Sequence, residues 1–425
     1  MDTIFALASA AGKAGVSVVR TSGPRAWDAV KNLGGAIPAP RMASVRRLVT
    51  PAGDFLDEAL VLVFEEGASF TGERVAEFQV HGSVAVVQAL LRELGTMEGF
   101  RGAEPGEFTR RALENEQLDL SQVEALADLI DSETEQQRRQ ALRLLTGALG
   151  NRVAGWRQKL LSALSLLEVT IDFVDEEVPV DVSDDVRQFL ESVSGEIQRE
   201  LQGLESAERL RLGFEVAIVG PPNAGKSTLL NYLAGREAAI TSDVAGTTRD
   251  VIEVRMEIGG LAVTLLDTAG LRESEDSVEQ IGVARARERA GSADLRVHLV
   301  LKGGVPMLAV EDGDIVVQAK ADEGGCGVSG LTGAGVPALL ETIENRLLDE
   351  VQGAGLASRE RHRVALAEGH SHLEQALLLL EDGADLYDVT SEEVRIALRA
   401  LEQLVGHVDV EQVLDHIFSS FCIGK

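Results

Sequence analysis

Three kinds of hydrophobic pattern follow one another along the chain. In the first hundred or so residues, short β-rich runs at Val16 to Arg20, Ala59 to Phe64 and Val75 to Val80 are separated by turn material such as Ser22-Gly23-Pro24 and Glu104-Pro105-Gly106. Val84 to Leu94 has helical character, so a mixed α and β region is predicted there. From about Leu118 apolar residues recur at helical spacing: Val123, Leu126 and Ile130, then Leu160, Leu164, Leu167 and Ile171, then Val186, Leu190, Val193, Ile197, Leu201 and Leu204. Ser183 is the predicted cap of the last of these. Long amphipathic helices with charged outer faces imply a bundle.

At Phe214 the pattern changes again. A strand at Phe214 to Val219 runs into a glycine loop and a helix, and further strands follow at Ala262 to Leu266, Leu295 to Leu301 and Ile315 to Val317. That alternation predicts a doubly wound α/β domain of about 130 residues. After Leu348 the helical period returns at Val394, Leu398, Leu401 and Val405, preceded by a possible capping box of Thr390 and Glu393. The chain reads as a multidomain protein, α/β plus all-α, divided at 1–117, 118–212, 213–348 and 349–425, with the third segment inserted into a helical domain.

Composition changes this picture in two ways. Hydrophobic residues make up 45% of 425, enough to build cores without staples, and Cys326 and Cys422 form no disulfide framework or metal-ligand spacing. With no window of about 18 apolar residues and no basic-flanked leader, a soluble, cytoplasmic protein with no membrane segment is expected. The net charge of −29 argues against a broad nucleic-acid grip, leaving any RNA contact to a local basic patch. Arg110, Arg111, Arg138, Arg139 and Arg143 are either such a patch or a solvated helix face.

The chemistry concentrates between Gly220 and Gly270. Gly220 to Ser227 reads GPPNAGKS, a phosphate-binding loop in its proper place between strand and helix. Gly220 and Gly225 let backbone N–H groups wrap the phosphates, Lys226 brings a cation to them, and Ser227 offers a hydroxyl to Mg²⁺. Asp267-Thr268-Ala269-Gly270 ends the second strand, where an Asp can hold the magnesium shell and a Gly N–H can face a γ-phosphate. Between them, Gly246-Thr247-Thr248-Arg249-Asp250 can supply a second hydroxyl to the metal. The ordered set points to a guanine-nucleotide-binding protein.

The base end departs from the usual pattern. In place of N-K-x-D the chain has Ala319-Lys320-Ala321-Asp322, so the carboxylate that accepts from guanine is present and the amide is not. The S-A-K-like loop reads Ser329-Gly330-Leu331, and only Lys302 to Asp314 separates two strands that normally enclose a helix. Leu271 stands where many GTPases have the water-orienting Gln; Glu279 is either its replacement or a solvated charge.

With these motifs, and with Asp2-Thr3-Ile4, Ser69-Phe70-Thr71-Gly72-Glu73, Pro105-Gly106-Glu107-Phe108, Asp172-Phe173 with Asp175-Glu176-Glu177, and the ending Phe421-Cys422-Ile423-Gly424-Lys425, nearly the whole chain resembles the bacterial tRNA-modification GTPase family MnmE, also called TrmE. The resemblance implies an N-terminal α+β folate-binding and dimerisation domain, a helical domain and an inserted Ras-like G domain. It implies a homodimer binding a tetrahydrofolate derivative, in a 5,10-methylene or formyl form. Arg20, Glu77 and Lys425 match folate contacts, as does position 117, where Gln117 stands for the Lys of many members. Cys422 matches a functionally important cysteine.

For the G domain the resemblance implies K⁺-dependent, dimerisation-activated hydrolysis. Asn223, Ser242, Val244 and Thr247 match K⁺ ligands, Ser227 and Thr248 the Mg²⁺ ligands, and Glu279 the water-positioning glutamate. The nucleotide would touch Gly220, Asn223, Ala224, Gly225, Lys226, Ser227 and Thr228, the loop Ser242, Asp243, Val244, Ala245, Gly246, Thr247 and Thr248, then Asp267, Thr268, Ala269 and Gly270, and at the base Lys320, Asp322 and Ser329. The partner implied is the FAD-containing protein MnmG (GidA), in a heterotetramer that uses NADH and adds an aminomethyl-type group to C5 of the wobble uridine of tRNA. Two alternatives stay open: a ribosome-assembly-type GTPase switch, and a scaffold with impaired nucleotide binding.

Overall fold

A computed structural model describes residues 2–172, 182–236, 253–267, 291–406 and 424. The chain divides into two compact units, residues 1–127 with 402–425, and residues 128–401.

The first unit is built on a six-stranded sheet of β1 (Thr3–Leu7), β2 (Val16–Ser22), β3 (Ser44–Val49), β4 (Phe55–Phe64), β5 (Val75–His81) and β6 (Phe100–Gly102), in the order β3-β4-β5-β2-β1-β6. All neighbours are antiparallel except β1 with β6. Period-two alternation decides which face is buried. Asp57, Ala59, Val61 and Val63 of β4 are buried, and three of them join Leu33 of α1 (Ala26–Gly34) and Leu90 and Leu94 of α2 (Val84–Gly95) in one core. The predicted runs lie inside β2, β4, β5 and α2, while β1, β3, β6, α1 and α3 (Glu107–Glu114) lie outside them. α4 (Leu120–Ile130) follows.

The second unit holds α5 (Glu135–Leu145), α6 (Ala148–Asp172) and α7 (Ser183–Leu212), then α10 (Glu360–Glu381) and α11 (Tyr387–Glu402). α7 packs against both α6 and α10, so the two helical stretches that flank the inserted domain in sequence share one core. Buried Glu200 of α7 ties the return together, accepting from Leu356 N at 2.7 Å and pairing with Arg152. Two predicted caps fail. Val182, not Ser183, occupies the N-cap of α7, and no side chain caps it. Thr390 lies inside α11, donating its hydroxyl to Leu386 O at 2.9 Å, while Glu393 meets His372 Nδ1 instead. A hydroxyl one turn into a helix bonds backward to a carbonyl and is no longer available to cap.

Between α7 and α10 lies a five-stranded sheet of β7 (Phe214–Val219), β8 (Glu253–Ile258), β9 (Leu261–Asp267), β10 (Leu295–Val300) and β11 (Ile315–Gln318), in the order β11-β10-β7-β9-β8. Only β8 runs antiparallel, and this order with a phosphate loop after the central strand is that of a Ras-like G domain. α8 (Lys226–Ala234) and α9 (Val336–Glu350) cover the face carrying Phe214, Val216, Ile218, Val297 and Leu299. Residues 301–314 contain no helix, as their length predicted; Leu308 reaches back toward Ala217 and Val219 on the other face.

Candidate nucleotide site

The phosphate end follows from strand order. β7 and β9 are parallel neighbours with Ile218 opposite Asp267, so the glycine loop leaving β7 emerges beside the carboxylate ending β9. A Cβ at Gly220 would stand 2.6 Å from Leu299 O on β10, so only glycine lets the loop pass. Asn223 and Gly225 have left-handed φ of 61° and 94°, and with the Ala224 N–H bond to Pro221 O at 3.2 Å they curl the loop before α8 begins. Lys226, 7% exposed, donates from Nζ to Gly220 O at 2.7 Å and Pro221 O at 3.2 Å, which holds the ammonium over the loop. Ser227 Oγ donates to Asp267 Oδ2 at 2.7 Å. A hydroxyl and a carboxylate meeting at one point are the oxygen ligands a hard cation such as Mg²⁺ takes, so these residues fit the metal.

A cleft of about 240 Å³ joins this loop to the base end. Asn223, Ala224, Gly225 and Thr228 line one side, and Lys320, Asp322, Ser329 and Leu331 line the other. Lys320 takes a left-handed φ of 59°, which swings Asp322 toward Ser329. The Ser329 hydroxyl, donating to Asp322, holds that carboxyl below its usual range. Ser329 Oγ in turn accepts from Leu331 N at 3.2 Å and Thr332 N at 3.3 Å. A Cβ at Gly330 would come within 2.4 Å of Leu229 N, so this loop rests on the first turn of α8. The structure therefore brings together Asn223, Ala224, Gly225, Thr228, Lys320, Asp322 and Ser329 around one cleft, with Lys226, Ser227 and Asp267 at its phosphate end.

A second cluster lies in the first unit. Arg20 Nε bonds Glu77 Oε1 at 2.9 Å across paired strands, and its guanidinium stands 5.6 Å from the Phe70 ring and 5.8 Å from the Phe108 ring. Gln117 donates to Asn115 O, and both lie against Gly72 in the same loop as Phe70. Gly424, at φ 101°, lies so close to β1 that a Cβ would stand 2.0 Å from Leu7 O. Gly424 thus stands against the strand paired with the one bearing Arg20.

Curated relatives match the whole chain. "tRNA modification GTPase MnmE" of Cereibacter sphaeroides is 58% identical over 429 residues, and its namesake from Roseobacter denitrificans is 56% identical over 430, each match covering 100% of both chains. A family profile described as "GTP-binding protein TrmE N-terminus" matches residues 3–117, and one described as "MnmE helical domain" matches residues 120–422. The chain belongs to the MnmE family of tRNA modification GTPases. Among solved structures, Era in complex with MgGDPNP and nucleotides of 16S ribosomal RNA aligns at 28% identity and a TM-score of 0.26, covering 31% of this chain and 56% of that one. The G domain of T. maritima FeoB aligns at 20% identity and a TM-score of 0.21, covering 33% of this chain and 99% of that one.

Arg111, Arg138 and Arg139 of the arginine patch are engaged by acids. Arg111 is buried, bonding Glu73, Glu107 and Asp2. Arg138 and Arg139 both pair with Glu135, whose carboxyl they draw down to about 2. Burial alone would push the Glu107 carboxyl up, but Arg101 and Arg111 hold it below its usual range. The pattern pointed to these arginines and missed their acids, although Glu73 and Glu107 sit inside two of the motifs that carry the family resemblance. No helix among the described residues is long and apolar enough to cross a membrane. Ser242, Asp243, Val244, Ala245, Gly246, Thr247, Thr248, Thr268, Ala269, Gly270, Glu279, Cys422 and Lys425 lie outside the described residues.

Proposed function

We propose that this chain hydrolyses GTP in a K⁺-dependent cycle activated by dimerisation, and that the cycle serves addition of an aminomethyl-type group to the wobble uridine of tRNA with an FAD-containing partner. The supporting observation is the single cleft lined by both the phosphate loop, where Ser227 meets Asp267 at 2.7 Å, and the base-end residues Asp322 and Ser329. Ser227, with Thr248, would hold Mg²⁺, which neutralises charge on the phosphates. Asn223, with Ser242, Val244 and Thr247, would hold K⁺, and Glu279 would orient the attacking water. Asn223 already stands beside the cleft.

In the first unit, Arg20 and Glu77, with Gln117, Lys425 and Cys422, would form the site of a tetrahydrofolate derivative serving as one-carbon donor. The Arg20 guanidinium, paired with Glu77, stands beside the Phe70 and Phe108 rings, a setting that suits a flat heteroaromatic ligand. Steady-state hydrolysis of GTP in KCl and in NaCl at equal ionic strength, with ATP as control, tests the proposal. Strong K⁺ stimulation for GTP alone is expected; hydrolysis indifferent to the cation contradicts it.

A further inference from the structure

How the base is read deepens the reading that the cleft takes GTP, and rests on it. Guanine offers donors at N1 and N2 and acceptors at O6 and N7. Asp322 can only accept, so the donor edge of the base faces it. Ser329 fixes that carboxylate, and is itself fixed by Leu331 N and Thr332 N. For O6 a donor stands ready: Gly330 N–H makes no hydrogen bond to any described residue, and its loop is pressed onto α8.

Nothing equivalent serves N7 among the described residues at the end of β11. The side chain of residue 319 is a methyl, 4% exposed, and its main-chain N–H is used by Val300 O at 2.8 Å. Lys320 Nζ is directed to Glu323 Oε1 at 2.9 Å and brings an ammonium in place of an amide. Leu331, 74% exposed beside the cleft, offers apolar surface to the face of the ring.

We infer that this chain reads guanine at two edges only, through Asp322 and the backbone of residues 329–331, and is blind to N7. A base carrying C–H in place of N7 therefore binds as well as guanine. An Ala319→Asn variant places an amide donor where there is none, and strengthens binding of the natural base alone.

The test is calorimetric titration of the full chain with GDP, 7-deaza-GDP and IDP at fixed Mg²⁺. GDP and 7-deaza-GDP are expected to bind within about twofold of each other, while Ala319→Asn favours GDP by roughly 2- to 10-fold, the size of one neutral hydrogen bond. IDP, which lacks the N2 donor, is expected to bind several-fold more weakly than GDP to both proteins. A native preference for GDP over 7-deaza-GDP of about fivefold or more overturns the inference, and the native comparison decides it even if the variant fails to fold. Equal binding of IDP and GDP overturns the role given to Asp322. Binding of none of the three overturns the GTP reading itself.

Discussion

The two ends of the nucleotide cleft are built on different principles. At the phosphate end each requirement is met by a specific residue: a glycine under Leu299 O, a lysine folded over its own loop, a serine in contact with an aspartate from the neighbouring strand. At the base end the amide side chain is absent and the helix usual between the last two strands is replaced by the loop 301–314. What remains there is a hydrogen-bond relay through Ser329 and backbone N–H groups. The difference reflects the ligand. A triphosphate carries concentrated charge whose neutralisation has no substitute, whereas a base is read by several separate bonds, each contributing about 1 kcal/mol.

Lys226→Ala is expected to have the largest effect, lowering hydrolysis by roughly a thousandfold, as for loss of a transition-state charge. A single-turnover assay checks it; retained activity would mean the two ends are not unequal. Ser227→Ala, or chelation of Mg²⁺ with EDTA, should lower hydrolysis by about a hundredfold while leaving the preference for GDP over ADP intact. If either treatment erased base discrimination, the ends would be one cooperative unit.

Gly330→Ala forces the base-side loop off Leu229 N, and is expected to cost about 1–3 kcal/mol of stability in thermal melts and to weaken nucleotide binding. Gly225→Ala meets no neighbouring atom, so its penalty comes only from φ 94° and should be about 1–2 kcal/mol. Ser329→Ala should have the smallest effect, weakening GDP by about 2- to 10-fold. It also lets the Asp322 carboxyl rise toward its usual value of 3.8, so on acidification nucleotide affinity is lost at a higher pH than in the native chain. The sign follows because the ionised form binds, and the native hydrogen bond extends ionisation to lower pH. A midpoint that moved the other way would deny the Ser329–Asp322 bond its role.

The phosphate loop was legible because its chemistry is local. Eight consecutive residues carry the glycines, the lysine and the serine, and backbone sterics leave such a run few conformations. Ala319 was equally plain as a missing amide. That its N–H is spent on Val300 O, and that Gly330 must lie on α8, depend on strands and loops distant in sequence. Arg111 shows the same limit from the other side. Within its helix it reads as a solvated charge, yet it is buried, bonded to Asp2 and Glu73 from elsewhere in the chain and to Glu107 one turn away on the same helix.

The sequence by itself determined the order of the elements, the insertion of the G domain and the identity of the phosphate-binding groups, because periodicity, turn residues and contiguous motifs act over a few residues. The tertiary structure alone decided which helices lack caps, which arginines are buried and how Asp322 is aimed. Those outcomes are set by strand register and by contacts between residues tens of positions apart, which no local pattern encodes.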